Sequence, residues 1–156
     1  MFLGKLGAVP KNQNKPKAVK AKKTKTNPED KLWKWFSLYI RLRDCIDNTG
    51  GYGFCFTCGE AIHYKDGDCG HFIPRKWKPT KYREDNNNLQ CKNCNGKLSG
   101  NIEEYAKRLG SDKVTELKEE RLKPAKKMMP YEIESKIEYY RQKAKVEAYR
   151  VGVELK

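Results

Sequence analysis

The sequence predicts an α+β protein in which helices flank a short, turn-rich, cysteine-bearing middle. Three observations support that class. Apolar residues recur at three- and four-residue steps on both sides of the middle, the period of a helix with one buried face. Between Tyr52 and Gly100 the apolar runs are brief and interrupted by glycines and cysteines, which suits small strands and loops. The first 28 residues hold eight Lys and no acid, with no apolar period, and such a stretch cannot bury enough surface to offset the entropy of ordering.

The bounds are equally informative. The chain has 156 residues, 37% of them apolar and 35% charged, which supports one modest core and no large one. No apolar run approaches the roughly 18 residues of a membrane span, and the start lacks the charged, extended form of a signal peptide. A soluble, cytoplasmic protein with no membrane partner is expected. The 34 Lys and Arg against 20 Asp and Glu give a formal charge of +14, the electrostatic footprint of a protein that meets a polyanion.

Taken in order, residues 1–27 read as a disordered basic arm, either a solubilising tail or a non-specific grip on nucleic-acid phosphates. A single domain over residues 28–156 follows. Its first helix, about 29–47, opens with Asn27 as cap, Pro28 at the first position and Glu29 and Asp30 facing the positive end of the dipole. Leu32, Trp35, Phe36, Tyr39, Leu42 and Ile46 form its stripe, and Asn48-Thr49-Gly50-Gly51 ends it. After the middle, a helix over 101–109 presents Ile102, Tyr105, Ala106 and Leu109. A second, over 111–122, is capped by Ser111, and Pro124 and Pro130 mark a connector. The last helix, 130–150, presents Ile133, Ile137, Tyr140, Ala144 and Ala148 for packing.

Six cysteines are present. Four form two matched pairs, Cys55-Phe56-Thr57-Cys58 and Cys91-Lys92-Asn93-Cys94. A two-residue gap lets both thiolates of a pair reach one tetrahedral ion, so Cys55, Cys58, Cys91 and Cys94 are expected to hold a structural Zn2+. Disulfides do not suit an intracellular protein. The 32 residues between the pairs exceed ordinary ribbon spacing, so the metal would staple the ends of an insertion. Cys45 and Cys69 are left over as small buried residues.

The insertion carries Asp68-Cys69-Gly70-His71-Phe72-Ile73-Pro74, then Arg75, Lys76, Lys78, Lys81 and Arg83 around Trp77 and Tyr82, then Glu84-Asp85-Asn86-Asn87-Asn88-Leu89-Gln90. Asn95 follows the second pair. If the metal draws both ends together, these polar groups converge on a strand, loop, strand and helix unit.

Cys55-x-x-Cys58, Gly70-His71-Phe72-x-Pro74, Asn86 and Cys91-x-x-Cys94-Asn95 resemble the HNH (ββα-metal) nucleases with their zinc knuckles. The Asp-x-Gly-His run, the stretch from Cys94 to Asn101, the Tyr105 helix and Phe36-Ser37-x-Tyr39-Ile40-Arg41-x-Arg43-Asp44 are similar to the phage lambda-type NinG (Rap) family, over about residues 30–150. That resemblance implies a phage-encoded endonuclease, in the host-cell cytoplasm, acting on branched recombination DNA such as Holliday junctions and D-loops. Gly70 stands where the usual HNH nuclease has an Asp; the nearest acid is Asp68, and the last motif position is Asn95 rather than His.

The resemblance assigns roles. His71 would be the general base, since neutral imidazole suits proton abstraction near neutral pH. Asn86, or Asn87 or Asn88 in a slipped register, would orient its ring. A single Mg2+ or Mn2+ would be held by Asn95 and Asp68. Arg75, Lys76, Lys78, Lys81 and Arg83 would hold phosphates, with Trp77 or Tyr82 either stacking on an unpaired base or packing the loop. The other classes open at this stage are a non-catalytic zinc-stabilised nucleic-acid-binding module and a general HNH nicking or homing-type nuclease. A homodimer, with the last helix as interface, would suit a symmetric junction.

Overall fold

Asn27 sets the first turn of the fold. In the computed structural model, which describes residues 27–155, its Oδ1 accepts the Glu29 N–H at 3.0 Å and Pro28 fills the first helical position. The rest of the arm expected over residues 1–27 lies outside the described residues. Helix α1 spans Pro28–Arg43 and buries Leu32, Phe36, Tyr39, Ile40 and Leu42.

It stops four residues short of the expected end at 47. The Asp44 carboxylate turns away to accept the Leu89 N–H at 2.7 Å and the Arg43 Nε–H at 2.7 Å. Ile46, expected on the buried stripe, is therefore 46% exposed. The chain returns across this point at Gly53, where a Cβ would lie 2.5 Å from the Asp44 carbonyl oxygen, so no side chain fits.

Two hairpin-like pairs make up the middle. Strand β1 (Tyr52–Phe54) runs antiparallel to β2 (Ala61–His63), with Gly53 opposite Ile62. Strand β3 (Asp68–His71) runs antiparallel to β4 (Asn87–Gln90), with Asp68 opposite Gln90 and His71 opposite Asn87. The loop joining β3 to β4 holds a one-turn helix α2 (Lys78–Lys81) and a 3-10 turn at Glu84–Asn86. A π-type turn, Asn93–Lys97, follows β4 directly. Helices α3 (Ile102–Leu109) and α4 (Ser111–Glu120) then meet at Gly110, whose φ of 82° joins them without a loop. Gly110, not Ser111, occupies the cap position of α4, and the Ser111 hydroxyl donates to Asp112 instead. On α3, Tyr105 is buried while Ile102 is 42% exposed, since only one edge of the expected face meets the sheet.

Helix α5 (Pro130–Arg150) packs along α1 and runs in the same direction, with Tyr140 beside Phe36 and Tyr39 and Arg150 at the end of α1. Ile137, Tyr140, Ala144 and Ala148 are buried in this seam. Phe36 meets Tyr140 edge-on at 4.9 Å and Tyr82 edge-on at 5.5 Å, an arrangement that adds to the burial of the rings. Tyr82 is thus half-buried against the core, the loop-packing alternative expected for it; its hydroxyl donates to the Glu29 carbonyl.

Parallel helices place their negative dipole ends together. Arg150 answers that charge by donating to the carbonyls of Leu42, Arg43 and Cys45 at 3.1, 2.9 and 3.0 Å. Glu84 ties the 3-10 turn to both helices, accepting from Tyr39 Oη at 2.7 Å and Lys143 Nζ at 2.7 Å. A second, smaller core joins Phe72 and Ile73 to Tyr105 and Leu117. Among the described residues, no helix is long and apolar enough to cross a membrane.

The turn after α1 is the joint between the helical frame and the β3–β4 sheet. Arg43 continues it, donating to the carbonyls of Glu84 and Asn87 at 2.9 Å each. Replacing Asp44 by Ala leaves the buried Leu89 N–H and the Arg43 guanidinium without their acceptor, at a cost of about 2 kcal/mol. A urea titration of the metal-loaded protein should show it; a loss under ~0.5 kcal/mol, the scale of ordinary surface changes, would remove the joint from this account.

Candidate functional site

The four paired cysteines come together although 32 residues separate the pairs. Their sulfurs all lie within 4.8 Å of one another, with Cys58 and Cys91 at 3.8 Å. A tetrahedron with Zn–S bonds of ~2.3 Å has sulfurs ~3.8 Å apart, so the geometry is consistent with a structural zinc site. Backbone and side-chain donors already aim at these sulfurs: the Cys94 N–H at Cys91 (3.4 Å), the Thr57 hydroxyl beside Cys55 (3.4 Å) and the Asn101 amide at Cys94 (3.7 Å).

The thiol chemistry needs a cation. Burial opposes ionisation of Cys55, yet the Cys58 N–H and the Thr57 hydroxyl pull its thiol down to about 6. Burial and the neighbouring sulfurs then push Cys91 up to about 12. Ionising all four thiols at this spacing would set up a mutual repulsion that a divalent ion would offset. The other two cysteines are spectators. Burial holds Cys45 near 11 and Cys69 near 12, and their S–H groups donate to the Arg41 carbonyl and to Asn87 Oδ1.

Because β4 runs straight into Cys91, the turn that carries Cys94 also carries Asn95 back across β3. Asn95 Nδ2 donates to Asp68 Oδ2 at 3.0 Å. The Asp68 carboxylate and the Asn95 amide are therefore neighbours, and each carries an oxygen of the kind that a hard cation takes. Gly70, between Asp68 and His71, has no room for a side chain: a Cβ there would lie 2.0 Å from Gln90 Oε1. The buried Gln90 amide occupies that volume while donating to Thr57 Oγ1 and the Gly100 carbonyl.

His71 closes β3 and lines a cleft of about 320 Å³ shared with Asn95, Ser99, Lys118 and Arg121. Its Nδ1 is buried and has no hydrogen-bond partner. Burial, and then the charge of Arg75, lower its pKa from the ordinary 6.5, so the ring is neutral at pH 7.

No Asn of the cluster touches that ring. Asn86, fully buried, spends its amide on the loop: Oδ1 accepts the Ile73 N–H at 2.7 Å, and Nδ2 donates to the carbonyls of Ile73 and Thr80. Asn87 Nδ2 donates to the carbonyls of Arg83 and Lys81, and Asn88 bridges Arg43 and the Tyr105 hydroxyl. The direct orienting bond expected from Asn86, Asn87 or Asn88 is absent because the loop between the strands has more backbone groups to satisfy than it can pair internally. Their effect on His71 is indirect, through the loop that follows it. Tyr105 supports the same place, its buried hydroxyl donating to the carbonyls of Gly70 and Asn86.

The basic loop divides into free and committed charges. Arg83 is bound to Asp85 and Glu116, both at 2.5 Å, and Lys78 and Lys81 share Glu29 at 3.0 and 3.1 Å. These three, expected to hold phosphates, are paired with carboxylates in this structure: Asp85 two residues from Arg83, and Glu29 and Glu116 far away in sequence. Arg75 and Lys76 carry no carboxylate partner among the described residues; Arg75 lies over the Trp33 ring at 4.7 Å and Lys76 over Trp77 at 5.9 Å. Trp77 is half-buried against the smaller core, and Arg121 covers its ring at 5.4 Å. Lys118 and Arg121 went unrecognised in the sequence because they sit in a helix of mixed charge, and only the packing of α4 on Phe72 and Ile73 brings them to His71.

A family model described as Bacteriophage Lambda NinG protein matches residues 8–149. No curated protein and no solved structure matches the chain.

Two outcomes check this geometry. Elemental analysis should find one zinc per chain, lost on Cys94→Ser and kept on Cys69→Ser; retention by Cys94→Ser would break the four-sulfur assignment. Gly70→Ala should destabilise the protein by about 1–3 kcal/mol through its overlap with Gln90, read as a lowered denaturation midpoint with zinc still bound, and an unchanged midpoint would contradict the packing described.

Proposed function

The chain belongs to the bacteriophage lambda NinG family, and from that premise and the His71 cleft we propose that it is a divalent-metal-dependent endonuclease acting on branched DNA intermediates of phage recombination. The observation that carries the proposal is a cleft lined by both His71, whose buried Nδ1 has no hydrogen-bond partner, and Asn95, whose amide is bonded to the Asp68 carboxylate beside it. β3, β4 and the turn Asn93–Lys97 support an HNH-type reading, with a strand–loop–strand–helix order and His71 at the end of the first strand. The four-cysteine cluster, with Zn2+ bound, is a closed site with no open position for a substrate, so its part is structural.

Hydrolysis of a phosphodiester needs a deprotonated water in line with the departing 3′ oxygen. His71 accepts that proton; its lowered pKa keeps the ring unprotonated and ready at neutral pH. Asp68 and Asn95 would hold Mg2+ or Mn2+, which when bound supplies charge stabilisation at the scissile phosphate and the leaving oxygen. Arg75 and Lys76, in the loop that follows β3 and without carboxylate partners among the described residues, hold the strand's phosphates and fix register without reading bases. Selectivity for a branch then rests on backbone geometry and deformability, since no helix is set apart to enter a groove.

The test is cleavage of a synthetic four-way junction beside a linear duplex of the same sequence. Wild-type protein should cut the junction in Mg2+ or Mn2+, and His71→Ala should lower the rate by roughly 10²–10⁴ while zinc content and DNA binding persist. Activity should fall as pH drops through the imidazole pKa, with the acid limb centred below 6.5 because the ring's pKa is depressed. Wild-type protein inert with both metals would leave a zinc-stabilised DNA-binding module; equal rates on junction and duplex would leave a general nicking nuclease.

A further inference from the structure

We infer that Lys118 of α4 and Arg121, the residue that caps its end, form a phosphate-binding site in the cleft that His71 also lines, and that it takes a phosphodiester of the DNA strand being cut. The inference rests on the nuclease reading for the identity of its ligand, and on the following observations for its existence.

Both residues line the cleft. They are three apart on the helix, so their side chains share a face one turn deep. Arg121 Nε is buried and has no hydrogen-bond partner. A guanidinium is permanently charged, and a buried N–H without an acceptor costs free energy that proteins ordinarily avoid.

The acids of α4 do not answer it. Glu116 pairs with Arg83 and Lys113 at 2.5 Å each, while Glu120 pairs with Lys123 at 2.6 Å and lies 3.9 Å from Arg83. They draw the helix's negative charge toward Arg83. Lys118 makes no ion pair among the described residues, nor does Arg121, whose contact is the Trp77 ring at 5.4 Å. The ring face takes none of the guanidinium's N–H groups as a carboxylate would, so they remain available to an oxyanion. A site with two unpaired cations, an orphan donor and no carboxylate partner is chemically an anion site, and in a cleft shared with a proposed general base the anion is a phosphate one step from the reacting centre.

The measurement is the salt dependence of four-way-junction binding by fluorescence anisotropy, without added Mg2+ or Mn2+ so that no strand is cut. Each removed phosphate contact should lower the log–log salt slope by about 1 and weaken binding roughly three- to tenfold near 0.1 M salt. Arg121→Gln and Lys118→Gln should each show this, with zinc content unchanged. A merely structural Arg121, held by Trp77, would shift the thermal midpoint and leave the slope alone. Should Arg121→Gln fail to fold, the exposed Lys118→Gln decides, and an unchanged slope there overturns the site. Inorganic phosphate titrated against wild-type and Lys118→Gln protein separates a free-phosphate site from one that needs the strand: competition at equal strength in both overturns the assignment. Wild-type protein that binds DNA with these slopes but never cuts it defeats the nuclease reading and leaves the phosphate site standing, whereas wild-type protein that binds no DNA defeats both.

Discussion

Everything in the middle of this protein hangs on four sulfurs held within 4.8 Å. The strands are three or four residues long, too short to be stable as isolated pairs. A cross-link closing a loop of this size removes on the order of 4 kcal/mol of denatured-state entropy, and a structural zinc adds its own binding energy to folding. The closure also dictates position. β4 ends one residue before Cys91, and Asn95 follows Cys94 by one, so the turn that completes the cluster also returns the Asn95 amide to Asp68 at 3.0 Å. The four-sulfur cluster and the Asn95–Asp68 contact are consequences of one loop closure.

The helical frame serves that closure from outside. Arg43 and Asp44, at the end of α1, do little for their own helix and much for β4: between them they satisfy the Leu89 N–H and the carbonyls of Glu84 and Asn87. Arg150 returns from the far end of the chain to hold the carbonyls at the same corner. Helices drawn from opposite ends of the described chain therefore converge on one joint, and the sheet bearing Asp68 and His71 is built against it.

What the sequence disclosed follows a physical line. Period and spacing are local properties, so the seam of α5 with Tyr140 and Ala144, the cap at Asn27 and the pairing of Cys55-x-x-Cys58 with Cys91-x-x-Cys94 were all legible. Partner choice is not local. Nothing near Arg83 shows that Glu116 will claim it, nothing near Asn86 shows that its amide will go to Ile73 and Thr80, and Tyr82 looks exposed until Phe36 and Trp33 are placed around it. Gly70 is the instructive case. As a letter it is a missing acid beside His71; in the fold it is the only residue that leaves room for the Gln90 amide. Asp68, two residues back, shares the strand face of Gly70, and there the Asn95 amide reaches it.

The charge of the chain acquires a different meaning in this light. A net +14 describes the polymer, but a phosphate meets only the cations that no carboxylate has already taken. These are Lys118 and Arg121 on the cleft wall and Arg75 and Lys76 in the β3–β4 loop, because Lys78, Lys81 and Arg83 are paired with Glu29, Asp85 and Glu116. Arg75 has a second consequence: its charge is one of the two causes that depress the His71 pKa. A phosphodiester bound beside Arg75 would offset part of that charge, while the burial that is the larger cause stays in place. The ring would be a weaker base in the empty cleft and a stronger one with substrate in place, since proton affinity follows the local potential. Under the proposed reading, the cations that hold the strand thereby also set the moment at which His71 is best able to take a proton.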